Sequence, residues 1–250
     1  LISFGTSFAQ NYVNKGYEAY VKSDYDTAIN YYNFAIESEP NNASIYNLRG
    51  NAYFSKHDYE NAIIDYSKAI TIQPNYHIYY TNRGQAYLNL RKYENAELDL
   101  TKAIQLKPDY YDAYISRGDL YRTRGGFLAS LNSSFQDIVF IIFPSSGLKP
   151  DYSLAINDYT IAIQLNPQSE LAYYNRGLSY KFINDYSNAV KDFSKVIEIN
   201  PSEVKYYVYR GNTYKELRDY EKVLSDFSLA IKLEPKNYKH YEARGYIYLY

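Results

Sequence analysis

The sequence predicts an all-α solenoid of stacked helix–turn–helix units, and three observations support this class. Six prolines recur with a fixed period: Pro40, Pro74, Pro108, Pro167, Pro201 and Pro235. The gaps between them are 34, 34, 59, 34 and 34 residues. A tyrosine precedes each of these prolines at a constant distance, and small and apolar residues between them lie at helical spacing. Units of this length are typical of arrays in which neighbouring units share one core.

Each unit is predicted to contain two helices, as the second repeat illustrates. Gly50 and Tyr53 lie on one face of the first helix, and the polar sequence KHD then interrupts the pattern. Ala62 and Tyr66 resume the helical spacing, which Pro74 ends. Because Gly50 and Ala62 are small, we expect the two helices to approach closely and the tyrosines to fill the space beside them. Neither helix buries its apolar face alone, so a neighbouring unit must cover it.

The fourth repeat contains an insertion. Tyr121 and Tyr152 are much farther apart in the sequence than the corresponding pair of the second repeat, Tyr53 and Tyr59. The gap between Pro108 and Pro167 exceeds the regular gap of 34 residues by the same number of residues. The insertion is therefore placed at residues 125–149, between the two helices of this repeat. We therefore interpret residues 1–250 as a single solenoid of six full repeats and a half, interrupted once.

The insertion contains the longest apolar run of the chain, IVFIIF. Consecutive residues of high β-propensity and no charge favour pairing with another strand or another chain. The run is far shorter than a membrane-spanning helix, which needs about 18 apolar residues. The candidate residues for self-association are Ile138, Val139, Phe140, Ile141, Ile142 and Phe143.

The composition argues against several classes of function. The chain has 27 basic and 28 acidic residues, so neither nucleic acid nor an anionic membrane is an expected partner. Cysteine is absent, which excludes disulfides and thiolate ligands. The three histidines occupy unrelated positions of the repeat, and a metal site is therefore not expected: they are His57, His77 and His240. Since the sequence contains no nucleophile–base set and no phosphate-binding loop, we predict no enzyme and no cofactor.

The residue pattern resembles the tetratricopeptide repeat, a helix–turn–helix unit of 34 residues. In the second repeat the matching residues are Tyr46, Gly50, Tyr53, Ala62, Tyr66 and Pro74. The pattern recurs along the chain, and a seventh first helix carries Tyr241, Gly245 and Tyr248. The resemblance covers nearly the whole chain apart from its first residues and the insertion. It implies a right-handed superhelix that binds other proteins on its concave surface and has no catalytic role.

Once these residues are assigned to packing, the inner face of each first helix remains for a partner. By helical spacing and by the resemblance, this face presents Tyr17, Tyr20, Asn51, Phe54, Gln85, Leu88, Asp119, Arg122, Leu178, Lys181, Phe182, Asn212, Lys215 and Tyr246. Aromatic anchors among amide and hydroxyl groups are typical of protein-binding surfaces. A structural alternative is that some of these rings pack against adjacent first helices. The predicted function is a scaffold that binds a protein or peptide segment.

The alternative function is a structural subunit that assembles end to end, as a filament or another homo-oligomer. It rests on the apolar insertion and on the uncapped ends of the array, because terminal repeats usually carry a polar outer face. Repeat domains that clamp acidic C-termini need a lysine that is missing from the corresponding first-helix positions, which disfavours that subfamily. The compartment stays open: the cytoplasm is the default of the family, whereas a secreted chain would have glycosylation acceptors at Asn42 and Asn132.

An arginine–aspartate ladder is also predicted. First helices carry an arginine immediately before the glycine, at Arg49, Arg83, Arg117, Arg176, Arg210 and Arg244. Second helices carry an aspartate one position before the large side chain, at Asp65, Asp99, Asp158, Asp192 and Asp226. We expect each guanidinium group to bind the carboxylate of a successive unit through two hydrogen bonds. Exposed pairs of this kind contribute only about 0–1 kcal/mol each.

Overall fold

The computed structural model describes residues 2–130 and 152–248, and all regular elements within these ranges are α-helices. Helices α1 to α7 are Ile2–Val21, Tyr25–Ser38, Ala43–Ser55, Tyr59–Ile72, His77–Asn89, Tyr93–Leu106 and Tyr111–Ser130. Helices α8 to α13 are Tyr152–Leu165, Glu170–Phe182, Tyr186–Ile199, Val204–Glu216, Tyr220–Leu233 and Tyr238–Ile247. The predicted all-α class is confirmed.

The helices alternate between first and second members of the predicted repeats. Helices α3, α5, α9 and α11 are first helices of 13 residues each. Helices α2, α4, α6, α8, α10 and α12 are second helices of 14 residues each. The chain forms two compact units, Leu1–Leu120 and Tyr121–Tyr250. The interpretation of residues 1–250 as a single domain therefore stays a prediction.

The predicted insertion begins as a continuation of helix α7. This helix is 20 residues long, seven more than the first helices α3 and α5, and it ends at Ser130. Residues 125–130, the start of the predicted insertion, thus belong to a helix rather than to a separate segment. The remainder of the insertion, with Asn132 and the self-association candidates at 138–143, lies outside the described residues.

Within each unit, a second helix packs on the first helix of its own repeat and on that of the next repeat. Helix α4 contacts α3 and α5, and helix α10 contacts α9 and α11. Two alanines seven residues apart lie at these contacts, and both Ala62 and Ala69 of α4 are completely buried. Because alanine is small, the helix axes come close on both sides, and the large rings fill the space between alanine positions.

A glycine in the middle of a first helix allows the closest contact inside a repeat. A Cβ atom at Gly50 would lie 2.7 Å from Cε1 of Tyr66, on the second helix of the same repeat. At Gly84 the equivalent atom would lie 2.8 Å from Cγ of Leu100. These separations are shorter than van der Waals contact, so only glycine permits this packing. The predicted close approach of the two helices is confirmed.

The substitution Gly50→Ala is expected to destabilise the fold by about 1–3 kcal/mol, because the buried Tyr66 ring must move to accept the methyl group. Gly245 of α13 is the matched control, since no neighbouring atom among the described residues lies within 4 Å of its Cβ position. The control Gly245→Ala should raise stability by up to about 1 kcal/mol through helix propensity. Urea unfolding followed by circular dichroism measures both variants, and equal losses would contradict this packing argument.

The turn between the two helices of a repeat needs one residue in the left-handed region. His57 has a φ angle of 64°, and the corresponding turn residues with positive φ are Ser23, Arg91, Asn184 and Arg218. The N–H of Asp58 donates to the carbonyl of Tyr53 at 2.9 Å, which closes the C-terminus of α3. The Asp58 carboxylate accepts from the N–H of Asn61 at 3.2 Å and caps α4. The polar sequence KHD therefore ends one helix and begins the next.

The predicted arginine–aspartate pairs form, but they connect different helices from those expected. Nε and Nη2 of Arg83 donate to the Asp99 carboxylate at 2.7 and 2.8 Å, and both residues belong to the same repeat. Nη1 of Arg83 donates to Oγ of Ser67 at 2.9 Å, on the second helix of the preceding repeat. The same paired geometry occurs in Arg49–Asp65, Arg176–Asp192 and Arg210–Asp226. The prediction that each arginine binds the carboxylate of a successive repeat is wrong for these four pairs. The arginine instead contacts the neighbouring repeat through a hydroxyl or amide oxygen.

These ion pairs are also more buried than the sequence suggested. The side chain of Asp99 is 8% exposed and that of Arg83 is 20% exposed. Burial raises the pKa of Asp65, Asp192 and Asp226, and the paired guanidinium group opposes this shift. A carboxylate at this position therefore depends on its arginine for compensation of the lost hydration.

The substitution Asp99→Asn is expected to destabilise the fold by about 1–3 kcal/mol, because it leaves the partly buried guanidinium group of Arg83 without its counter-charge. The control is Asp26→Asn, which removes the exposed partner of Lys56 and should produce no measurable change. Thermal and urea unfolding compare the two variants. An Asp99→Asn variant as stable as the unmodified chain would show that the pair is dispensable.

Candidate partner-binding surface

Polar side chains link successive first helices within the unit Leu1–Leu120. The hydroxyl groups of Tyr20 on α1 and Ser55 on α3 are hydrogen-bonded at 3.0 Å. Nε2 of Gln85 on α5 donates to Oγ of Ser116 on α7 at 2.8 Å. The predicted surface residues Tyr20 and Gln85 therefore also contribute to packing between first helices, as the structural alternative expects.

Three asparagines form a connected network between α3 and α5. Nδ2 of Asn82 donates to Oδ1 of Asn47 at 2.8 Å and to Oδ1 of Asn51 at 3.2 Å. Oδ1 of Asn51 also accepts from the buried Tyr66 hydroxyl at 2.8 Å. We call Asn47, Asn51, Asn82 and Gln85 the carboxamide row. All four side chains are half-buried, so solvent still contacts this face of the first helices.

The apolar residues predicted on the inner face of this unit differ in exposure. Tyr17 is 57% exposed, and its ring is available to a partner. Phe54 is half-buried: its ring lies 5.3 Å from that of Tyr59 and packs against the cluster around Tyr66. Leu88 is also half-buried. Phe54 therefore has a structural role, whereas Tyr17 is the exposed aromatic side chain of this face.

In the unit Tyr121–Tyr250, three predicted residues line one cavity. Asn212, Lys215 and Tyr246 surround a space of about 340 Å³ between α11 and α13. Lys239 and Glu242 lie on its wall, so charged groups of both signs are present. This cavity differs in chemistry from the uncharged carboxamide row of the other unit.

The remaining predicted residues do not line this cavity. Nε of Arg122 donates to the Tyr159 hydroxyl at 3.4 Å. The ring of Phe182 stacks on Tyr152, with centroids 4.9 Å apart and planes 9° from parallel. Half-buried side chains occupy three further predicted positions, Asp119, Leu178 and Lys181. Arg122 thus fits the structural alternative, whereas Phe182 combines its stacking contact with a ring that is 55% exposed.

The sequence analysis missed an aromatic cluster in the same unit. The Tyr174 ring lies 5.3 Å from Tyr209 and 5.5 Å from Tyr206. Burial, followed by the neighbouring Tyr209 side chain, raises the pKa of Tyr174. The Lys205 ammonium group lies 4.9 Å from the Tyr206 centroid, a distance typical of cation–π contact. The helical spacing of Tyr206 and Tyr209 in the sequence could have indicated this aromatic cluster.

Asn47 and Asn82 were also absent from the predicted surface. Asn47 is four residues before Asn51 on α3, and Asn82 follows Asn51 by the same 31 residues that separate Gln85 from Ser116. That recurrent separation was the available signal for contacts between neighbouring first helices.

Neither a metal site nor a membrane span is evident in the described part of the chain. No group of three His, Asp or Glu side chains in these ranges is arranged to hold a metal ion. His240 instead lies 2.9 Å from a carboxylate oxygen of Glu234. Among the helices of residues 2–130 and 152–248, none combines the length and apolar character needed to cross a bilayer.

Family models match more than half of the sequence. A model described as tetratricopeptide repeat matches residues 43–76, 77–110 and 171–203, and another of the same description matches residues 204–237. A model described as TPR repeat matches residues 16–57. Among curated proteins, none matches this sequence.

Several solved structures have the same fold. PilW, a widely conserved type IV pilus biogenesis factor, is 15% identical with a TM-score of 0.75, and the alignment covers 96% of this chain and 97% of PilW. YrrB, a TPR protein with an unusual peptide-binding site, is 20% identical with a TM-score of 0.60, over 86% of this chain and 97% of YrrB. MamA from Desulfovibrio magneticus RS-1 is 19% identical with a TM-score of 0.61, over 78% and 96% of the two chains. At these identities the likeness shows the fold alone.

Proposed function

The chain belongs to the tetratricopeptide repeat family, and from this premise we propose that it is a non-catalytic scaffold that binds a segment of a partner protein. The partner segment lies along the inner faces of the first helices. The observation that carries the proposal is the half-buried carboxamide row of α3 and α5, together with the exposed ring of Tyr17 on the first helix α1. Its polar groups are fixed by hydrogen bonds between helices, yet they remain in contact with solvent.

A preformed polar surface of this kind favours binding, because little side-chain entropy is lost when a partner is added. Asn51 is fixed by Tyr66 and Asn82 before any partner binds. The peptide-binding site named for YrrB supports the same use of this fold. The cavity at Asn212, Lys215 and Tyr246 provides a second contact region within the other unit.

The proposal is tested by selecting a phage-displayed peptide library on the purified chain and measuring the affinity of the enriched peptides. In the variant Tyr17→Ala, which removes an exposed ring from the proposed surface, affinity is expected to fall at least about fivefold. The matched control is Tyr238→Ala, which removes another exposed ring that lies outside the proposed surface and should leave affinity unchanged.

Failure to enrich any peptide, or equal affinity of the two variants for every enriched peptide, would contradict the proposal. Self-assembly through residues 138–143 stays a prediction of the sequence. Static light scattering of the unliganded chain across a concentration series tests it separately. A constant monomer mass at micromolar concentration would count against self-assembly and leave the scaffold proposal intact.

A further inference from the structure

The sides of α4 and α6 that point away from their buried contacts carry the same pattern of side chains. Glu60, Ile64 and Lys68 recur at every fourth residue of α4, so they lie in one line along the helix. This line is on the side of α4 opposite the completely buried Ala62 and Ala69. Helix α6 repeats the pattern. We call these six residues the outer stripe: Glu60, Ile64, Lys68, Glu94, Leu98 and Lys102.

The centre of the outer stripe is apolar and exposed to solvent. Ile64 is 64% exposed and Leu98 is 72% exposed. Leu98 also lines a groove of about 700 Å³ together with Glu94 and Lys102. A single exposed leucine needs no explanation, but the same position repeated on two helices forms a patch. Such patches mark surfaces that another protein covers.

Contacts of Arg83 place the two halves of the outer stripe on either side of α5. The guanidinium group donates to Ser67 of α4 and to Asp99 of α6. As equivalent helices of consecutive repeats, α4 and α6 run in the same direction. The apolar centre is specific to these two helices, because the other second helices carry polar residues at the corresponding position: Asn30, Asn157, Lys191 and Ser225.

The charged ends of the outer stripe have no partners within the described part of the chain. Glu60, Lys68, Glu94 and Lys102 are exposed, and none of them forms an ion pair with another described residue. Within one helix the glutamate and the lysine are about 12 Å apart along the axis, whereas pairs inside a helix join residues three or four apart. Each half of the stripe therefore presents a negative end, an apolar centre and a positive end.

This pattern is complementary to itself when a second copy is turned antiparallel. A twofold axis that crosses both helices at their apolar residues places Ile64 against Ile64 and Leu98 against Leu98. It also places each glutamate opposite the lysine of the same helix in the other copy. A parallel arrangement would instead oppose like charges, which is unfavourable.

We propose that two copies of the chain form an antiparallel dimer through the outer stripe. Both apolar positions and all four charged positions of each copy contribute to the contact. Because the contact is small, the dimer is weak, with a Kd of about 0.1 mM. The inference concerns the outer side of the second helices and does not rest on the proposed function, which uses the inner faces of the first helices.

The first test is sedimentation velocity of the full chain at concentrations up to about 1 mM, across which the unmodified chain should pass from monomer to dimer. Two double variants, Lys68→Glu/Lys102→Glu and Glu60→Lys/Glu94→Lys, should each dimerise at least about tenfold more weakly, because every pair then opposes like charges. An equimolar mixture of the two variants should recover the dimer, since their charges are complementary.

Cysteine substitution tests the orientation, since the chain contains no cysteine of its own. A disulfide requires α-carbons within about 7 Å of each other. With oxidised glutathione as the oxidant, a mixture of Glu60→Cys and Lys68→Cys should therefore give at least about tenfold more mixed than symmetric disulfide-linked dimer. Ile64→Cys should form the symmetric dimer, whereas Lys191→Cys, the exposed control on α10, should not.

A chain that stays monomeric up to about 1 mM would overturn the inference. Charge variants that dimerise like the unmodified chain would do the same, since association would then reside elsewhere in the molecule. Preferential formation of the symmetric Glu60→Cys dimer would overturn the antiparallel arrangement. All substituted positions are exposed, so circular dichroism should show unchanged folding. Selection of peptides that depend on Tyr17 succeeds or fails independently of these outcomes.

Discussion

The close contact between a glycine of the first helix and a large side chain of the second is the constraint on which the rest of each repeat depends. At Gly50 there is no room for a Cβ atom beside the Tyr66 ring. This contact fixes the distance between the two helices and buries one side of the first helix. The face of α3 next to this contact is left partly exposed, and Asn47 and Asn51 of the carboxamide row lie there. A surface for a partner thus follows from the way the repeat closes.

Polar groups, as well as apolar packing, hold one repeat to the next. Arg83 donates two hydrogen bonds within its own repeat and a third to Ser67 of the preceding repeat, so one guanidinium group joins three helices. The Tyr46 hydroxyl donates to the carbonyl of Pro40 at 3.1 Å and fixes the turn between repeats. A chain with 35 tyrosines and no tryptophan suits this arrangement, because each ring provides apolar area together with a hydroxyl group.

The sequence predicted the helices well because their ends are set locally. The turn at Asp58 and the prolines recur with the period, and the helix lengths follow from them. The sequence did not predict which carboxylate each arginine binds. Asp65 lies between Arg49 and Arg83 at nearly equal distances along the chain, so spacing alone hardly separates the two partners. Only the rotation of each helix about its axis, which depends on packing, decides that Asp65 belongs to Arg49.

The candidate site was harder to predict because its contacts depend on residues that the period does not specify. Asn47 and Asn82 occupy no signature position, and their contact exists because neighbouring first helices lie side by side. Corresponding positions hold Asn51 and Gln85 in one unit and Leu178 and Asn212 in the other, although the helices are alike. Since the signature residues are committed to packing, the remaining positions vary without changing the fold. Under the proposed function, partner choice therefore resides in the side chains that the repeat leaves free.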